Sequence, residues 1–455
     1  MAGAMMGSKA LPAGTVVVIV LFLMTYIPPG TLQLGTLTLG FPRLFLLLSI
    51  LPCTALLLFD PRHRLTVVDA FVAGFAVWGF ASILVNNGLD RLEFAGLQLV
   101  ETFGAYSLGR ILLARPEAYR LFWRVFGGLM LLILPVGLAE LLGNRFVLHD
   151  AFGGLITLHP QILDYPARLG FDRVQGNLEH FILFGVFWGF GMIHFLSVFE
   201  RWPLRVFMGL CCMTVVAMSL SSGAYLGLMF QLALLAWGRV TRGRWWLLVG
   251  LAAFGFVLVD MLSDRPALVA ISTRLAFSSD TAYWRVQIFE FGMQNVWANP
   301  LFGLGLNDWV RPHWLGASVD NQWLLIAMRS GLPALALVLA AVGSMLLLLL
   351  RRRDLPPRVA LYRRNYVIAY VGLCISLGTV AVWSGTQAFL WLMLAMGVNL
   401  AVSPGRVATE EAAEDPHPRR LRHRREGLVS GAEGRRPVLP FRRPPAASRR
   451  RAPAH

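Results

Sequence analysis

Three ionisable residues stand at the start of an apolar run in the segment RVQGNLEHFILFG, residues 173–185. The Arg173 guanidinium can donate paired hydrogen bonds to a phosphate, and Glu179 and His180 are side chains that can take up or give a proton. Charged groups that border hydrocarbon are costly, so they are usually paired with one another or used in function. The elements around this segment decide between pairing and function.

Apolar composition defines the class of protein. The chain has 455 residues, of which 56% are hydrophobic, and its mean hydropathy is +0.61. Continuous apolar runs of about 17–25 residues, the length that crosses a bilayer as a helix, recur along most of the chain. Continuous runs exclude a transmembrane barrel, whose strands alternate apolar and polar residues. We therefore predict an all-α, polytopic integral membrane protein without a large water-soluble catalytic domain.

Apolar length predicts about twelve transmembrane helices. They span residues 14–29, 42–59, 67–86, 94–113, 121–142, 178–198, 204–220, 223–238, 245–262, 322–350, 366–383 and 386–402. The tenth stretch is too long for one upright span, so we expect it to be tilted or to begin outside the membrane.

Arginine placement predicts the orientation. Alternate connections are rich in Arg, namely 60–64, 110–124, 200–205, 239–244 and 351–364, whereas those after spans one, seven and eleven have no Arg or Lys. Because cytoplasmic loops collect basic residues, both termini are predicted to be cytoplasmic. The same rule explains the net charge of +16, so the basic composition does not require a nucleic-acid partner.

Residues 1–402 are predicted to form one membrane domain with two long external connections, at about 143–177 and 263–321, the second between spans nine and ten. The second connection contains SSDTAYWRVQIFEFGMQNV, which predicts a helix. This helix would lie on the outer membrane surface or pack within an external subdomain. Residues 403–455 predict a disordered, basic cytoplasmic tail, either solvated or in contact with anionic lipid heads.

Both long external connections carry arginines, against the general trend for external loops. Arginine binds phosphate through a planar fork of hydrogen-bond donors. The group is therefore predicted to hold a lipid phosphate or diphosphate, although for any single arginine a loop ion pair is the simpler interpretation.

Four blocks, in order, resemble the O-antigen ligase/polymerase family of membrane glycosyltransferases. They are RVQGNLEHFILFG (173–185), SLSSGAYLGL (219–228), WRVQIFEFGMQNVWANPLFGLGLNDW (284–309) and SVDNQWLLIAMRSGLPAL (318–335). The span number and the long loop between spans nine and ten also match. Asp320 stands where the family often has His, Ala224 replaces an Arg, and Phe181 replaces a Pro. These departures are more similar to exopolysaccharide polymerases than to lipopolysaccharide ligases.

The resemblance implies a GT-C-like fold in a bacterial inner membrane. It also implies transfer of a glycan from undecaprenyl diphosphate to an acceptor glycan or lipid on the periplasmic side, with no metal, nucleotide or other cofactor. Such a reaction needs positioning and charge stabilisation, because the diphosphate is already an activated leaving group. Membrane lipids and polysaccharide export or chain-length proteins are the further partners it implies.

Two sets of site residues follow from the resemblance and the residue chemistry. The diphosphate candidates are Arg173, Arg274 and Arg285, with Arg329 as a second-rank candidate inside a span. The candidates for a base are Glu179, His180, His313 and Asp320, and the last two are favoured because they lie where the family places its base.

Several polar residues are compatible with a purely structural role. His180 is equally well interpreted as a hydrogen-bonding group at a helix start, and Asp308 is better interpreted as a turn residue beside GLGL, residues 303–306. Glu101, in the middle of span four, would be protonated, paired across helices or part of a polar path. The rival function is a transporter or flippase of lipid-linked sugars, which should show inverted repeats and polar groups near the midplane.

Overall fold

Helices dominate the structure, which is a computed structural model that describes residues 11–35, 37–143, 145–162, 167–263, 279–352 and 355–402. Arg274 and the predicted tail at 403–455 lie outside these described residues.

The helices are numbered here in chain order. They are α1 (Ala13–Met24), α2 (Phe41–Phe59), α3 (Val67–Asn87), α4 (Leu92–Leu99), α5 (Ala105–Leu112), α6 (Pro116–Gly143), α7 (Val147–Phe152), α8 (Phe181–Gly189), α9 (Gly191–Val198), α10 (Trp202–Met218), α11 (Ser222–Val240), α12 (Trp245–Leu262), α13 (Ser279–Ala298), α14 (Gln322–Arg351), α15 (Pro357–Ser376) and α16 (Ser384–Val402). A 3₁₀ turn (Leu89–Arg91) precedes α4, and a π-helical segment (Val100–Gly104) joins α4 to α5.

Eight helices among the described residues are long and apolar enough to cross a membrane, with α8 and α9 counted as one. Two shorter apolar helices, α1 and α10, accompany them. This confirms a mostly helical, multi-pass membrane protein. The predicted number of spans and their orientation stay predictions.

Two predicted span ends are wrong. Helix α1 ends at Met24 and not near residue 29, because Pro28 and Pro29 follow and cannot continue a helix. Helix α15 ends at Ser376, and residues 377–383 leave the helix although hydropathy placed them in span eleven. The apolar character of this segment reflects its packing against other elements and not a helical span.

A small antiparallel sheet was missed by the all-α prediction. Strand β1 (Gly30–Leu34) pairs with β2 (Leu37–Gly40) and with β3 (Thr157–Leu158), in the order β2-β1-β3. The sheet therefore ties the connection after α1 to the first long external connection. It also leads directly into α2, so it fixes the start of that helix.

Aromatic side chains fill the centre of the bundle. Phe389 of α16 contacts Phe126 of α6 and Phe187 of α8, with ring centroids 5.6 and 4.7 Å apart. Tyr26 stacks on Phe187 at 4.8 Å. Rings of this size bury large apolar areas, and offset or tilted contacts add to the stabilisation. This core holds the ends of the helices in fixed relative positions.

The connecting segments that contact one another in the structure are ones that the arginine pattern places on the same side of the membrane. On the predicted external side, β1 pairs with β3 and Asn87 donates a hydrogen bond to Asn307 at 2.9 Å. On the predicted cytoplasmic side, Glu200 forms ion pairs with Arg120 and Arg358. The contacts thus agree with the predicted alternation of the loops.

Helix α13 packs on α14 within the second long connection. Val286, Ile288 and Val296 are buried, whereas Tyr283 and Trp284 are 53% and 41% exposed. The contact favours the packed interpretation of this helix over one that lies free on the membrane surface.

Candidate functional site

Helix α14 breaks near its predicted external end. Gly331 has a φ of 80°, a left-handed conformation that glycine adopts at no steric cost. Pro333 has no N–H for the carbonyl of Arg329, and the N–H of Leu332 donates to the carbonyl of Pro300 at 2.8 Å. The break accounts for the excess length of this span.

The GLGL segment, residues 303–306, docks on the broken turn. Two of its N–H groups donate to the freed carbonyls of Met328 and Arg329, at 2.7 and 2.8 Å. A Cβ on Gly331 would lie 1.9 Å from a carbonyl oxygen of the preceding loop, so no larger residue fits. The glycine pattern is therefore a backbone docking device and not a nucleotide-binding turn.

Helix α3 also contacts the broken turn and the GLGL segment. The Trp78 ring stacks on Phe302 at 5.0 Å, and its Nε1 donates to the carbonyl of Ser330 at 3.0 Å. The Asn87 Oδ1 accepts from the N–H of Leu306 at 2.9 Å. Helix α3 and the loop 300–306 thus hold the broken turn through backbone and side-chain hydrogen bonds.

Arg329, at this turn, lines a cavity of about 240 Å³. The cavity is lined by the starts of α2, α14 and α16, by α3, α4 and the π-helical segment, and by the end of the 377–383 segment. Its lining comprises Arg43, Phe75, Phe94, Leu97, Gln98, Glu101, Gln322, Leu325, Ile326, Arg329, Ser330, Val382, Trp383, Ser384 and Gln387.

The two arginines of the cavity differ in charge compensation. Arg43 forms an ion pair with Glu101, which is buried in the π-helical segment. The Glu101 carboxylate is therefore paired across helices, one of the three arrangements expected for it. Arg329 makes no side-chain hydrogen bond or ion pair with any described residue. The cavity consequently holds one excess positive charge.

Apolar side chains, three of them aromatic, form most of the remaining wall, and neutral polar side chains lie among them. The amides of Gln98 and Gln387 have no hydrogen-bond partner within the described residues, whereas Gln322 accepts from the N–H of Val382 at 2.8 Å. The Trp383 side chain is 40% exposed. Unpaired amides beside an accessible aromatic ring are suited to a hydroxylated ligand.

The loop before α8 is tied to the bundle by two buried polar side chains. Glu140 accepts from the backbone N–H groups of Gln175 and Gly176, at 2.8 and 3.1 Å. The Gln175 side chain bonds the backbone of Pro160 and Ile162. These bonds fix the loop between Arg173 and His180, the segment in which the sequence places ionisable groups.

His180 is the N-cap of α8 and borders the cavity through Trp383. Its Nδ1 accepts from the N–H of Ile182 at 3.1 Å, and its ring lies 5.6 Å from that of Trp383. Burial and the neighbouring Arg173 charge lower the pKa of His180 to about 4. The hydrogen bond at the helix start thus supports a structural role for this histidine. Arg173 lies over the Phe181 ring at 4.6 Å.

Glu179 lies beside the same region. Its Oε1 is 4.0 Å from the Nε2 of His159, and its Oε2 is buried without a hydrogen-bond partner among the described residues. Burial lowers the pKa of His159, so this histidine is neutral near pH 7. The charge of Glu179 is close enough to interact with that of Glu101, which lines the cavity.

Arg285, on α13, lies on the other side of the 377–383 segment. Its Nη2 makes long hydrogen bonds of 3.4 Å to the Ser222 hydroxyl and to the carbonyl of Thr379. Its Nε is buried and has no hydrogen-bond partner in the described part of the chain. Burial lowers the pKa of this guanidinium, and the neighbouring Arg168 charge lowers it further, whereas Asp320 raises it.

The structure brings together some of the predicted site residues and separates others. The charge of Asp320 acts on that of Arg285 without an ion pair between the two, and Asp320 accepts from the Ser318 hydroxyl at 2.9 Å. His313 lies in an exposed turn and shares no hydrogen bond, ion pair or ring contact with these groups or the cavity lining in the described residues. Asp308 pairs with Arg311 at 2.6 Å, as a turn residue would.

Several cavity residues were missed as site residues by sequence reasoning. Arg43 is a single charge at the start of the predicted span 42–59, and Gln98 and Gln387 carry no charge that would single them out within apolar runs. Trp383 was placed inside a span. The one available signal was Glu101, since a carboxylate in mid-span requires a polar partner.

The fold and this end of the bundle define a multi-pass helical membrane protein with cationic, polar groups at the ends of its spans. A protein-family model described as O-antigen ligase matches residues 206–339, which is less than half of the chain. No curated protein matches the sequence. The family match confirms the resemblance to the O-antigen ligase/polymerase family, and it supports a glycosyltransferase-like activity on lipid-linked glycans.

The matched range covers only part of the candidate site. It contains Arg285, Asp320 and Arg329 together with the broken turn of α14. The Arg43–Glu101 pair and the loop that carries Glu179 lie before it.

Proposed function

We propose that the chain polymerises or ligates undecaprenyl-diphosphate-linked oligosaccharide repeat units at the periplasmic face, in the synthesis of a surface polysaccharide such as O-antigen or exopolysaccharide. The observation that carries this proposal is the Arg285 guanidinium. It is half-buried, its two hydrogen bonds are long, and its Nε lacks a partner among the described residues. A buried donor in this state is costly unless a ligand accepts from it.

A diphosphate satisfies these donors. Its oxygens accept charge-assisted hydrogen bonds from a planar guanidinium, and negative charge grows on the leaving diphosphate as the glycosidic bond breaks. The Arg168 charge acts on Arg285 from nearby and adds to the positive field. Arg173 and Arg274 stay as further diphosphate candidates, and Arg274 lies outside the described residues.

Glu179 is the favoured base in this proposal. Its buried Oε2 is a free acceptor in the described structure, and it can receive the proton of an acceptor hydroxyl. Asp320, whose charge acts on Arg285, is the second candidate. His180 is less suited, because its Nδ1 is occupied and its pKa of about 4 makes it a weak base. His313 lies in an exposed turn and shares no hydrogen bond or ion pair with either group among the described residues.

The test uses the native host with the gene deleted and then restored as wild type, Arg285→Ala or Arg285→Lys. Lipid-linked glycans are extracted and sized beside the surface polysaccharide, and the protein is quantified by immunoblot. The control is Arg145→Ala, which removes an exposed arginine from the same predicted external side.

We expect Arg285→Ala to accumulate lipid-linked glycan at normal protein level, while Arg145→Ala behaves as wild type. Single repeat units on the carrier would identify a polymerase, and long polymer stranded on the carrier would identify a ligase. A normal glycan profile in Arg285→Ala, at normal protein level, contradicts the proposal. The transporter alternative would instead leave the lipid-linked units on the cytoplasmic side.

A further inference from the structure

The cavity around Arg329 is electrostatically incomplete. The Arg43–Glu101 pair is neutral as a unit, whereas Arg329 forms no ion pair with any described residue. A cation within a span is costly, and such cations face a polar interior or a ligand. An anionic group in the cavity would complete the charge balance.

The neutral wall of the cavity is suited to a sugar. The unpaired amides of Gln98 and Gln387 can each donate to and accept from a hydroxyl. The exposed Trp383 ring offers an apolar plane for the C–H face of a pyranose. The volume of about 240 Å³ is smaller than that of pockets for drug-sized ligands, which begin at about 300 Å³. It fits about one sugar ring with its substituent.

This cavity is separate from the Arg285 group. The segment 377–383 lies between the two: its Thr379 carbonyl contacts Arg285, and its Trp383 lines the cavity. Two cationic positions therefore flank one short stretch of chain, on opposite ends of that stretch. A transfer between two glycans needs two binding positions close to one another, one for each reactant.

We propose that the cavity binds a second anionic glycoside, with its negative group on Arg329, its ring against Trp383 and its hydroxyls on Gln98 and Gln387. This inference rests on the proposed glycan transfer at Arg285. The negative group has two sources: the diphosphate of a second carrier-linked glycan, or an acidic substituent of the repeat unit itself. Glu101 keeps Arg43 neutralised, so Arg329 alone selects the anion.

Binding to the full-length protein in lipid nanodiscs tests this inference. The probes are undecaprenyl diphosphate and the repeat-unit oligosaccharide released from the host polysaccharide. Stoichiometry and affinity are measured by native mass spectrometry for wild type, Arg329→Gln, Gln387→Leu, Arg285→Gln and the control Arg145→Gln. The Arg329 side chain forms no hydrogen bond or ion pair with any described residue, so its replacement should not disturb folding.

If the anion is a diphosphate, wild type binds two undecaprenyl diphosphate molecules, and Arg329→Gln and Arg285→Gln each bind one. If the anion is on the sugar, the oligosaccharide binds wild type and binds Arg329→Gln about 10-fold or more weakly, since a charge-assisted bond is lost. Arg285→Gln would then keep oligosaccharide affinity. In that second case, Gln387→Leu weakens binding of the oligosaccharide by a smaller factor than Arg329→Gln does.

Equal binding of both probes by wild type and Arg329→Gln would overturn the inference, as would a wild type that binds neither probe. Failure of the proposed function has a different signature. In that case Arg285→Ala leaves the glycan profile of the host unchanged, whatever Arg329 does to binding.

Discussion

Two arginines near the ends of the bundle, Arg110 and Arg329, occupy opposite predicted sides and have opposite surroundings. Arg110 is 2% exposed, pairs with Asp69, and donates to Asn399 and to the carbonyl of Arg64 at 3.0 and 2.8 Å. Arg329 lines a cavity and donates to no described residue. One guanidinium is satisfied by the protein, and the other is left to bind a ligand.

The difference distinguishes the framework, meaning residues that stabilise the fold, from the site, meaning residues that are available to a ligand. A buried arginine with a carboxylate and two oxygen acceptors stabilises only the fold, and losing it leaves a buried charge unpaired. An arginine without partners contributes little to folding, so selection for stability does not explain its place. The same contrast distinguishes Glu140, which caps backbone N–H groups, from Glu179, whose Oε2 has no partner among the described residues.

Replacement of Arg110 by Leu should have the largest effect. It leaves the Asp69 carboxylate buried and uncompensated, which costs about 3–5 kcal/mol of folding free energy. We expect loss of the monodisperse protein in detergent, measured by fluorescence-detected size exclusion. The double variant Asp69→Asn with Arg110→Leu should recover part of the yield, and wild-type yield in the single variant would contradict the framework role.

Replacement of Arg329 by Gln should give the opposite result. Stability should change by less than about 0.5 kcal/mol, while activity falls about 10-fold or more, since charge-assisted bonds to a ligand contribute about 1.5–3 kcal/mol. Thermal unfolding and glycan transfer are measured on the same preparation. A large loss of stability with unchanged activity would place Arg329 in the framework with Arg110.

Replacement of Gly331 by Ala tests whether the broken turn positions the site. The left-handed φ and the contact at 1.9 Å predict a cost of about 1–3 kcal/mol and a displaced docking loop. The matched control in the same helix is Gly343→Ala, where a Cβ meets nothing within 4 Å. The control should be neutral or slightly stabilising. Similar melting temperatures and activities for the two variants would contradict this role.

The smallest expected effect concerns pH. The pKa of His180 is about 4 in the folded protein and about 6.5 in the unfolded chain. The unfolded state therefore binds more protons between these values, and stability falls as the pH drops from 6.5 towards 4. The melting temperature of His180→Gln should fall less over this pH window than that of wild type does. An equal fall in both proteins would mean that groups other than His180 cause the loss of stability at acidic pH.

Much of the fold was predictable from sequence, because helices that cross a membrane are continuous apolar runs of about 17–25 residues. Each apolar run of span length overlaps a helix or helix pieces, although the runs 14–29 and 366–383 extend beyond theirs. What failed were features set by tertiary contacts: the end of α15 at Ser376, the small sheet, and the broken turn at Gly331. Hydropathy cannot distinguish a segment such as 377–383 from a span, because it is apolar through burial of Leu377, Val380 and Val382 in the core of the bundle.

The candidate site was predictable only in part. Charge signals found Arg285, Arg329 and Glu179, because ionisable residues stand out in an apolar chain. The neutral groups of the cavity gave no such signal. Arg43 and Glu101 are 58 residues apart, and only the fold brings them into contact. His313 was favoured on the resemblance alone, and the structure places it in an exposed turn.

Reconstitution of the purified chain in liposomes with lipid-linked repeat units from the host would separate glycan transfer from transport. We expect the protein alone, without nucleotide, to release undecaprenyl diphosphate and to lengthen or transfer the glycan, and we expect Arg285→Ala to do neither. Movement of intact lipid-linked units across the bilayer, with no change in glycan length or carrier, would refute glycan transfer and establish a transporter.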